Sequence, residues 1–376
     1  MNILQVIASG GLGGREIQPV KLAYKMRQFG HKTFILVRRN SQTISFIKKY
    51  NLPYIELKMD GRLNLKSIPQ LVKFLKLHQI DIIHTHISKS LLFLHIARKL
   101  SKRDIKLVFT HRMGMNVKKK DIYHRYIYTR VDQIVAISEY VKNRFINAAP
   151  YLKDKIRIVY NGVDLEKYSH KIEDKKEFLQ EFNLNKNNVT IGLIGQLNYG
   201  KGHFWVLETA KVLKEKYKIN NFKIFFVGKG KLEKSLKIFS RKLNLINNII
   251  FTGFRWDVDY FYRNIDIIVV PSKAEAGGNV LIEAMGFGKP VICSDTGAFP
   301  EIVTHNYNGL MVEYENIEDF TTALYKLIKN KNLCNHLGKN AKKTIQKKFN
   351  FTNTVKYYLE IYFELLHQEN HKNVLH

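Results

Sequence analysis

Residues 265–293 read IDIIVVPSKAEAGGNVLIEAMGFGKPVIC, and their local pattern indicates the fold class of the chain. The apolar run Ile265–Val270 predicts a buried strand, and the Pro-Ser pair after it predicts a turn. The glycine pair Gly277-Gly278 precedes an apolar helical segment, and a second strand is predicted at Pro290–Cys293. A helix between two short buried strands is typical of the βαβ unit of a parallel sheet.

The same alternation of short apolar runs and helical spacing extends over most of the chain. A strand, a glycine turn and a helix follow one another from residue 3 and again from residue 190, which predicts two similar α/β domains with a ligand cleft between them. We expect an N-terminal domain at 1–165, a linker at 166–188, a C-terminal domain at 189–350 and a helix within 351–376. The other strands are predicted at Asn2–Ala8, Thr33–Val37, Ile80–His84, Lys106–Thr110, Gln133–Ile137, Thr190–Ile194, Lys223–Val227 and Asn248–Phe251.

Charge and composition restrict the classes of function. Of the 376 residues, 62 are Lys or Arg and 32 are Asp or Glu, so the net charge of +30 favours anionic partners. Residues 1–157 carry +22 of this excess, and residues 158–376 carry +8. Two cysteines are too few for a disulfide framework, and no apolar stretch is long enough to span a bilayer. Because the N-terminus also lacks the features of a signal peptide, we expect a cytoplasmic protein.

Two glutamates in the opening stretch carry the strongest functional signal. Glu275 lies in the loop before the glycine pair, and Glu283 lies in the helix after it. Carboxylate oxygens accept hydrogen bonds from sugar hydroxyls, and a bare helix start favours an anion. Isolated glutamates are usually ordinary surface residues, but this glycine context favours a binding site. Lys201, in the second strand-to-helix turn, is either a cation for a phosphate or a solvated surface lysine.

The pair Glu275 and Glu283, with its Glu-x7-Glu spacing, resembles the motif of retaining glycosyltransferases of family 4, which have the GT-B fold. Further motifs agree in the expected order: Gly13-Gly14-Arg15-Glu16, Asp81–His86 (DIIHTH), Asn161–Asp164 (NGVD), Phe251–Arg255 (FTGFR) and Asn308-Gly309. The resemblance implies an α/β chain of two Rossmann-like domains facing each other across a cleft, with the C-terminal helix docked back on the N-terminal domain. It also implies transfer of a sugar from a nucleotide-diphosphate sugar to a glycan or lipid-linked acceptor, in polysaccharide or lipopolysaccharide biosynthesis.

The resemblance further implies roles for single residues. Glu275 would contact the donor sugar, His111 would lie beside that sugar, and Lys201 would neutralise the departing diphosphate. Glu283 would bind the ribose hydroxyls, while backbone N–H groups at the helix start would bind the phosphates. The nucleotide-binding residues are thereby predicted to be Gly13, Gly14, Gln196, Gly253, Phe254, Gly277, Gly278, Asn279, Val280 and Glu283.

Gln196 is a departure from the family pattern. Many members have Arg at this position, so Lys201, Arg15 or Arg255 must supply the missing charge. Asp257-Val258-Asp259 has the spelling of a metal-binding motif, but its place after the nucleobase turn predicts the start of a helix. His84 and His86 have no paired cysteine and no acidic cluster near them in the sequence. We therefore expect no metal and no cofactor, with the nucleotide sugar as donor substrate.

The basic N-terminal half predicts an acceptor that is lipid-linked, anionic or both. Lys118, Lys119 and Lys120 adjoin the aromatic stretch Ile122–Tyr128, which suits a peripheral position on the inner face of the cell membrane and equally a solvated loop. Two other functions stay open. One is another GT-B enzyme such as a nucleotide-sugar epimerase, against which the Glu-x7-Glu context argues. The other is a nucleic-acid-binding protein, although no motif supports a nucleic-acid partner.

Overall fold

The computed structural model describes residues 1–11, 13–59, 65–113, 119, 121–168 and 175–367, apart from the side chains of Arg15, Lys167 and Tyr168. The chain divides into two compact units. Unit 1 comprises residues 1–160 and 352–376, and unit 2 comprises residues 161–351. The linker predicted at 166–188 therefore lies inside unit 2 of this division.

Unit 1 contains a seven-stranded parallel sheet covered by helices. Its strands are β1 Asn2–Ile7, β2 Lys32–Arg38, β3 Tyr54–Leu57, β4 Ile82–Thr85, β5 Lys106–His111, β6 Gln133–Ala136 and β7 Ile156–Ile158. The strand order is β3-β2-β1-β4-β5-β6-β7. The helices are α1 Gly14–Gln28, α2 Thr43–Lys49, α3 Ile68–Leu77, α4 Leu91–Ser101, α5 Ile122–Thr129 and α6 Glu139–Ala148. All four residues of β4 are buried, as expected for a central strand with helices on both faces.

Unit 2 repeats this architecture with six parallel strands. They are β8 Val189–Ile194, β9 Phe222–Val227, β10 Ile249–Gly253, β11 Ile267–Val270, β12 Val291–Ser294 and β13 Leu310–Val312, in the order β10-β9-β8-β11-β12-β13. The helices are α7 Lys175–Glu181, α8 His203–Glu215, α9 Glu233–Lys242, α10 Val258–Asn264, α11 Asn279–Gly286, α12 Ile317–Lys329 and α13 Lys331–Lys348. One core joins β8 and β9 to α8 and α12, through buried side chains such as Leu193, Phe226, Val206 and Leu324.

The last described helix, α14, spans Phe351–His367, and its residues from Thr352 onward belong to unit 1. Two of its tyrosines, Tyr358 and Tyr362, are fully buried in that unit. Their hydroxyl groups lie 3.1 Å from Thr110 Oγ1 and 2.6 Å from His84 Nδ1, respectively. The predicted docking of the C-terminal helix on the N-terminal domain is confirmed.

The strand order of each sheet reverses once, between β1 and β4 in unit 1 and between β8 and β11 in unit 2. Ligands of doubly wound sheets bind at the carboxyl ends of the strands beside such a reversal. The predicted α/β fold, with two Rossmann-like sheets, is confirmed. All ten predicted strands form, together with β3, β7 and β13, which were not predicted. No described helix has the length and apolar character that crossing a membrane requires.

Candidate active site

The turn between β8 and α8 forms one side of the strand reversal in unit 2. Gly202 ends this turn with a φ of +78°. A Cβ atom at Gly202 would lie 2.3 Å from the carbonyl oxygen of Pro271, which follows β11. Glycine is therefore required on both counts, because a side chain would clash and would strain the backbone. The amide of Lys273 donates to the Gly200 carbonyl at 2.8 Å, so the β8 and β11 loops are held side by side.

Lys201 and Glu275 meet across these two loops. The Lys201 ammonium group forms an ion pair and hydrogen bond with Glu275 Oε1. Both side chains are partly exposed, at 35% and 22%, so the pair remains in contact with solvent. Two of the three residues predicted to be catalytic thus lie together at the strand reversal.

The Glu275 loop is fixed by its backbone. The Ala298 amide donates to the Glu275 carbonyl at 2.9 Å. The Ser294 and Thr296 hydroxyl groups donate to the Ser272 carbonyl at 2.6 and 2.7 Å. These hydrogen bonds anchor the backbone of the loop, and the Lys201 ammonium group holds the Glu275 carboxylate.

The helix α11 begins directly after this loop. Gly278 is its N-cap, with a φ of +56°, and no described side chain caps it. A Cβ at Gly278 would lie 2.6 Å from Ile302 Cδ1, so the position requires glycine. The side-chain Nδ2 of Asn161, from the NGVD motif, donates to Asn279 Oδ1 at 2.9 Å. The partly exposed residues Gly277, Asn279 and Val280 thus surround a helix start whose N–H groups favour an anion.

Glu283 lies one turn further along α11 and is half-buried. The hydroxyl group of the buried Tyr262, from α10, donates to Glu283 Oε2 at 3.0 Å. The same hydroxyl lies 3.4 Å from the Val280 carbonyl, so Tyr262 links the Glu283 carboxylate to the helix start. The sequence did not indicate that Tyr262 orients Glu283, because a tyrosine at helical spacing is typical of a core residue.

The turn after β10 contains the residues predicted to lie near the nucleobase. Gly253 is the last residue of β10, and the Phe254 side chain is exposed beside Trp256, with ring centroids 4.7 Å apart. Arg255 was named as a possible substitute for the missing Arg at Gln196. It forms ion pairs with Asp257 at 2.6 Å and with Glu181 at 2.8 Å, so its charge is already neutralised within unit 2. Lys201 is ion-paired as well, so the suggested role of Arg255 stays a prediction.

Gln196 is exposed, and its Oε1 accepts a hydrogen bond from the side-chain Nδ2 of Asn198 at 3.0 Å. The other suggested substitute, Arg15, has a side chain outside the described part of the structure. Among the cations named for the diphosphate, Lys201 is the one that the described residues place in the loops at the strand reversal.

In unit 1, Gly13 is the N-cap of α1 and Gly14 is its first residue. The Glu16 carboxylate accepts from the Gly13 amide at 3.0 Å and from the Ser9 hydroxyl at 2.6 Å. Glu16 therefore closes the turn after β1 rather than pointing at a ligand. This turn and His86 flank the reversal between β1 and β4.

His111 ends β5, and its ring packs edge-on against Phe145 with centroids 5.0 Å apart. Burial lowers its pKa to about 4, although a hydrogen bond with the Met113 backbone acts in the opposite direction. The Nε2 atom is buried and has no hydrogen-bond partner among the described residues. The backbone bond therefore uses Nδ1 as donor, which leaves Nε2 of the neutral ring as an acceptor.

A buried polar network lies beside His111 in unit 1. Arg112 Nε donates to His86 Nδ1 at 3.2 Å, so His86 carries its proton on Nε2 and donates to Gln5 Oε1 at 2.9 Å. His84 bonds to Tyr362 on one ring nitrogen and to Thr110 on the other. Burial keeps the pKa values of both histidines well below the usual value. The network holds the Arg112 guanidinium against His86, and the sequence did not indicate this role.

Two further predictions concern the surface and metals. Lys118 and Lys120 lie outside the described residues, while Lys119 is described. Asp257 occupies the N-cap position of α10, and Asp259 lies in the first turn of this helix. The Asp257 carboxylate accepts hydrogen bonds from Arg255, which lower its pKa. Within the described ranges, no group of three or more His, Cys, Asp or Glu side chains is arranged to hold a metal ion.

Sequence comparisons decide the family. Residues 12–167 match the family model described as Glycosyltransferase Family 4, and residues 174–344 match Glycosyl transferases group 1. An uncharacterized glycosyltransferase of Methanocaldococcus jannaschii is 31% identical over 293 residues, which cover 76% of each chain. The chain belongs to glycosyltransferase family 4. The family predicted from the Glu-x7-Glu context is thus confirmed.

Other relatives of this family 4 glycosyltransferase agree. The Escherichia coli UDP-Gal:alpha-D-GlcNAc-diphosphoundecaprenol alpha-1,3-galactosyltransferase is 27% identical over 313 residues, 81% of this chain and 80% of that protein. The crystal structure of Anabaena HepE in complex with UDP superposes with a TM-score of 0.85, at 20% identity and over 96% and 99% of the two chains. At this identity, the structural likeness establishes the fold alone.

Proposed function

We propose that this family 4 glycosyltransferase is a retaining enzyme of cell-surface polysaccharide or lipopolysaccharide biosynthesis. Unit 2 binds a nucleotide-diphosphate sugar, and unit 1 binds a glycan or lipid-linked acceptor. The observation that carries the proposal is the Lys201–Glu275 pair beside the bare start of α11. The pair combines a cation for phosphate and a carboxylate for sugar hydroxyls at one strand reversal.

The relatives support the chemical class of the substrates. The name of the Escherichia coli relative specifies a UDP-sugar donor and a diphosphoundecaprenol acceptor, and a Staphylococcus aureus relative is named for capsular polysaccharide biosynthesis. HepE has been crystallised with UDP and with UDP-glucose. We therefore propose a nucleotide sugar as donor and a lipid-linked sugar as acceptor.

The first step of the proposed reaction breaks the bond between the sugar C1 atom and the diphosphate oxygen. Negative charge develops on the diphosphate, and the N–H groups at the α11 start and the Lys201 ammonium stabilise it. The acceptor hydroxyl bonds to C1 on the face that the diphosphate leaves, and its proton passes to a diphosphate oxygen. Retention of configuration follows because departure and attack use the same face.

The carboxylates and His111 bind hydroxyl groups in this scheme. Glu275 accepts from hydroxyls of the donor sugar, and Glu283, oriented by Tyr262, accepts from the ribose hydroxyls. His111 Nε2 accepts a further sugar hydroxyl hydrogen, because its tautomer leaves a lone pair on that atom. The lowered pKa of His111 keeps this acceptor neutral at physiological pH.

The proposal is tested by incubation with UDP-sugars and GDP-sugars and a polyprenyl-diphosphate sugar acceptor. Release of a nucleoside diphosphate that depends on the acceptor supports transfer, and NMR of the product gives the anomeric configuration. We expect the configuration of the donor to be retained. Inversion would remove the retaining mechanism, and no release with any donor would remove the proposed function.

A further inference from the structure

Helix α5 presents one solvent-exposed face. Its members are spaced as i, i+3, i+4, i+7 and i+8, counting the C-cap residue, and we call them the α5 face: Ile122, Arg125, Tyr126, Thr129 and Arg130. Ile122 is 88% exposed and Tyr126 is 44% exposed. Two large apolar side chains, Ile122 and Tyr126, thus lie one turn apart on the solvent side of the helix.

The opposite side of α5 fixes the helix to unit 1. Ile127 and Tyr128 are buried, and Tyr128 packs edge-on against Phe145 with centroids 5.4 Å apart. The Ile127 carbonyl accepts from His95 Nε2 at 2.7 Å. The Lys155 ammonium donates to the Thr129 carbonyl at 2.8 Å and so closes the end of the helix. The exposed face is therefore held rigidly by the rest of the unit.

The α5 face combines apolar and cationic side chains and contains no acidic residue. The Arg130 guanidinium lies 3.6 Å from the centroid of the Tyr126 ring, and Arg125 lies 5.4 Å from that of Tyr151. Cations stacked on aromatic rings, beside a protruding isoleucine, suit the boundary between lipid headgroups and acyl chains. The surrounding residues 1–157 carry a net charge of +22, which attracts an anionic surface over a longer range.

We propose that the α5 face docks on an anionic lipid surface, with the arginines on headgroup phosphates and Ile122 in the acyl region. This inference rests on the proposed function, because it supplies the surface from which a lipid-linked acceptor is taken. Ten residues, 112–121, separate α5 from His111, so the docking helix is the next helix in the chain after the candidate active-site histidine. A nucleic acid would match the charge but would gain nothing from Ile122.

Helix α9 of unit 2 offers a stringent control. Ile238 and Arg241 are exposed there with the same i, i+3 spacing as Ile122 and Arg125, and Ile238 is 58% exposed. Its exposed side has further lysines but no second large apolar residue, and residues 158–376 carry only +8. The proposal assigns docking to α5 and none to α9.

The experiment is flotation of the full chain with vesicles of phosphatidylcholine alone or with 30% phosphatidylglycerol (about one anionic lipid in three). The α5 variant is Ile122→Ser with Arg125→Gln and Arg130→Gln, and the α9 control is Ile238→Ser with Arg241→Gln. We expect binding only to the anionic vesicles, and weaker binding at high salt. Each lost cation should lower the vesicle partition coefficient about fivefold, so the loss of both arginines should lower it about 25-fold. The loss of the apolar Ile122 side chain should lower the coefficient further.

The α9 control variant should float like the unchanged protein. Equal flotation of the α5 and control variants would overturn the proposal, and so would equal binding to neutral vesicles. Binding of single-stranded RNA that depends on the same α5 residues, without vesicle binding, would also overturn it. Nucleoside diphosphate release with a soluble acceptor is measured in parallel. Loss of that activity with intact flotation would reject the proposed function and leave the docking surface standing.

Discussion

His203 lies at the first position of α8, directly after the Lys201–Gly202 turn, and its imidazole is 1% exposed. Its ring packs edge-on against Phe226, and neither ring nitrogen has a hydrogen-bond partner among the described residues. Burial, and then the charge of Lys201, lower its pKa from 6.5 to about 4. Unit 2 therefore folds around a neutral imidazole.

The consequence is an acid-dependent loss of stability. Between pH 6.5 and pH 4 the unfolded chain protonates His203 while the folded chain does not, so the free energy of unfolding falls as the pH falls. Above pH 6.5 both states hold a neutral His203, so none of this stability is lost there. At pH 5.0, which is 1.5 units below the unfolded pKa, the loss amounts to about 2 kcal/mol, at 1.36 kcal/mol per unit.

The substitution His203→Leu removes this titration without leaving a broken hydrogen bond. Both tryptophans of the chain, Trp205 and Trp256, lie in unit 2, so urea unfolding followed by tryptophan fluorescence reports on the unit that contains His203. We expect the stability of the variant relative to the unchanged protein to improve by about 2 kcal/mol between pH 7.5 and pH 5.0. Titration of all other groups cancels in this comparison. An equal difference at the two pH values would refute the assignment of a buried neutral imidazole.

Three further outcomes follow from the described contacts. In the nucleotide-release assay, Lys201→Ala is expected to lower turnover by about 100-fold, because it removes one preorganised charge donor. The control Lys211→Ala, further along α8, should leave turnover unchanged. Asp257→Ala and Asp259→Ala are expected to retain turnover in the presence of EDTA; a strict manganese requirement abolished by either change would contradict this. Tyr362→Phe leaves His84 Nδ1 buried without its hydrogen-bond partner at 2.6 Å, so we expect the variant to destabilise unit 1 by about 1–3 kcal/mol in calorimetric unfolding. An unchanged unfolding transition would show that α14 docks through apolar contacts alone.

The sequence predicted the central strands but not three strands at the sheet edges. Each of β3, β7 and β13 has only three or four residues and forms the outer strand of its sheet. Their apolar runs are too short for a periodic pattern, and they become strands by pairing with a neighbour already in place. The central strands, such as β4 and β11, are buried on both faces and read as continuous apolar runs.

The candidate site was predicted where glycines and chain position carry the signal. The loops of Lys201 and Glu275 follow adjacent strands, so their meeting follows from the parallel sheet. The roles of Tyr262 and Arg112 were not predictable, because each depends on a tertiary partner, Glu283 and His86, that is distant in sequence. The ion pair of Arg255 with Glu181 was not predictable for the same reason, since Glu181 lies 74 residues away in sequence.

In the proposed function, unit 2 holds a nucleoside diphosphate between Lys201 and the start of α11. Isothermal titration calorimetry measures this binding with a panel of nucleoside diphosphates, on the unchanged chain and on Lys201→Ala and Lys211→Ala. We predict that at least one diphosphate binds to the unchanged chain. Lys201→Ala should raise the Kd of that diphosphate by about tenfold or more, as expected for loss of a charged hydrogen bond. Lys211→Ala should leave the Kd unchanged. Binding of no member of the panel, or equal weakening by the two lysine changes, would contradict the account.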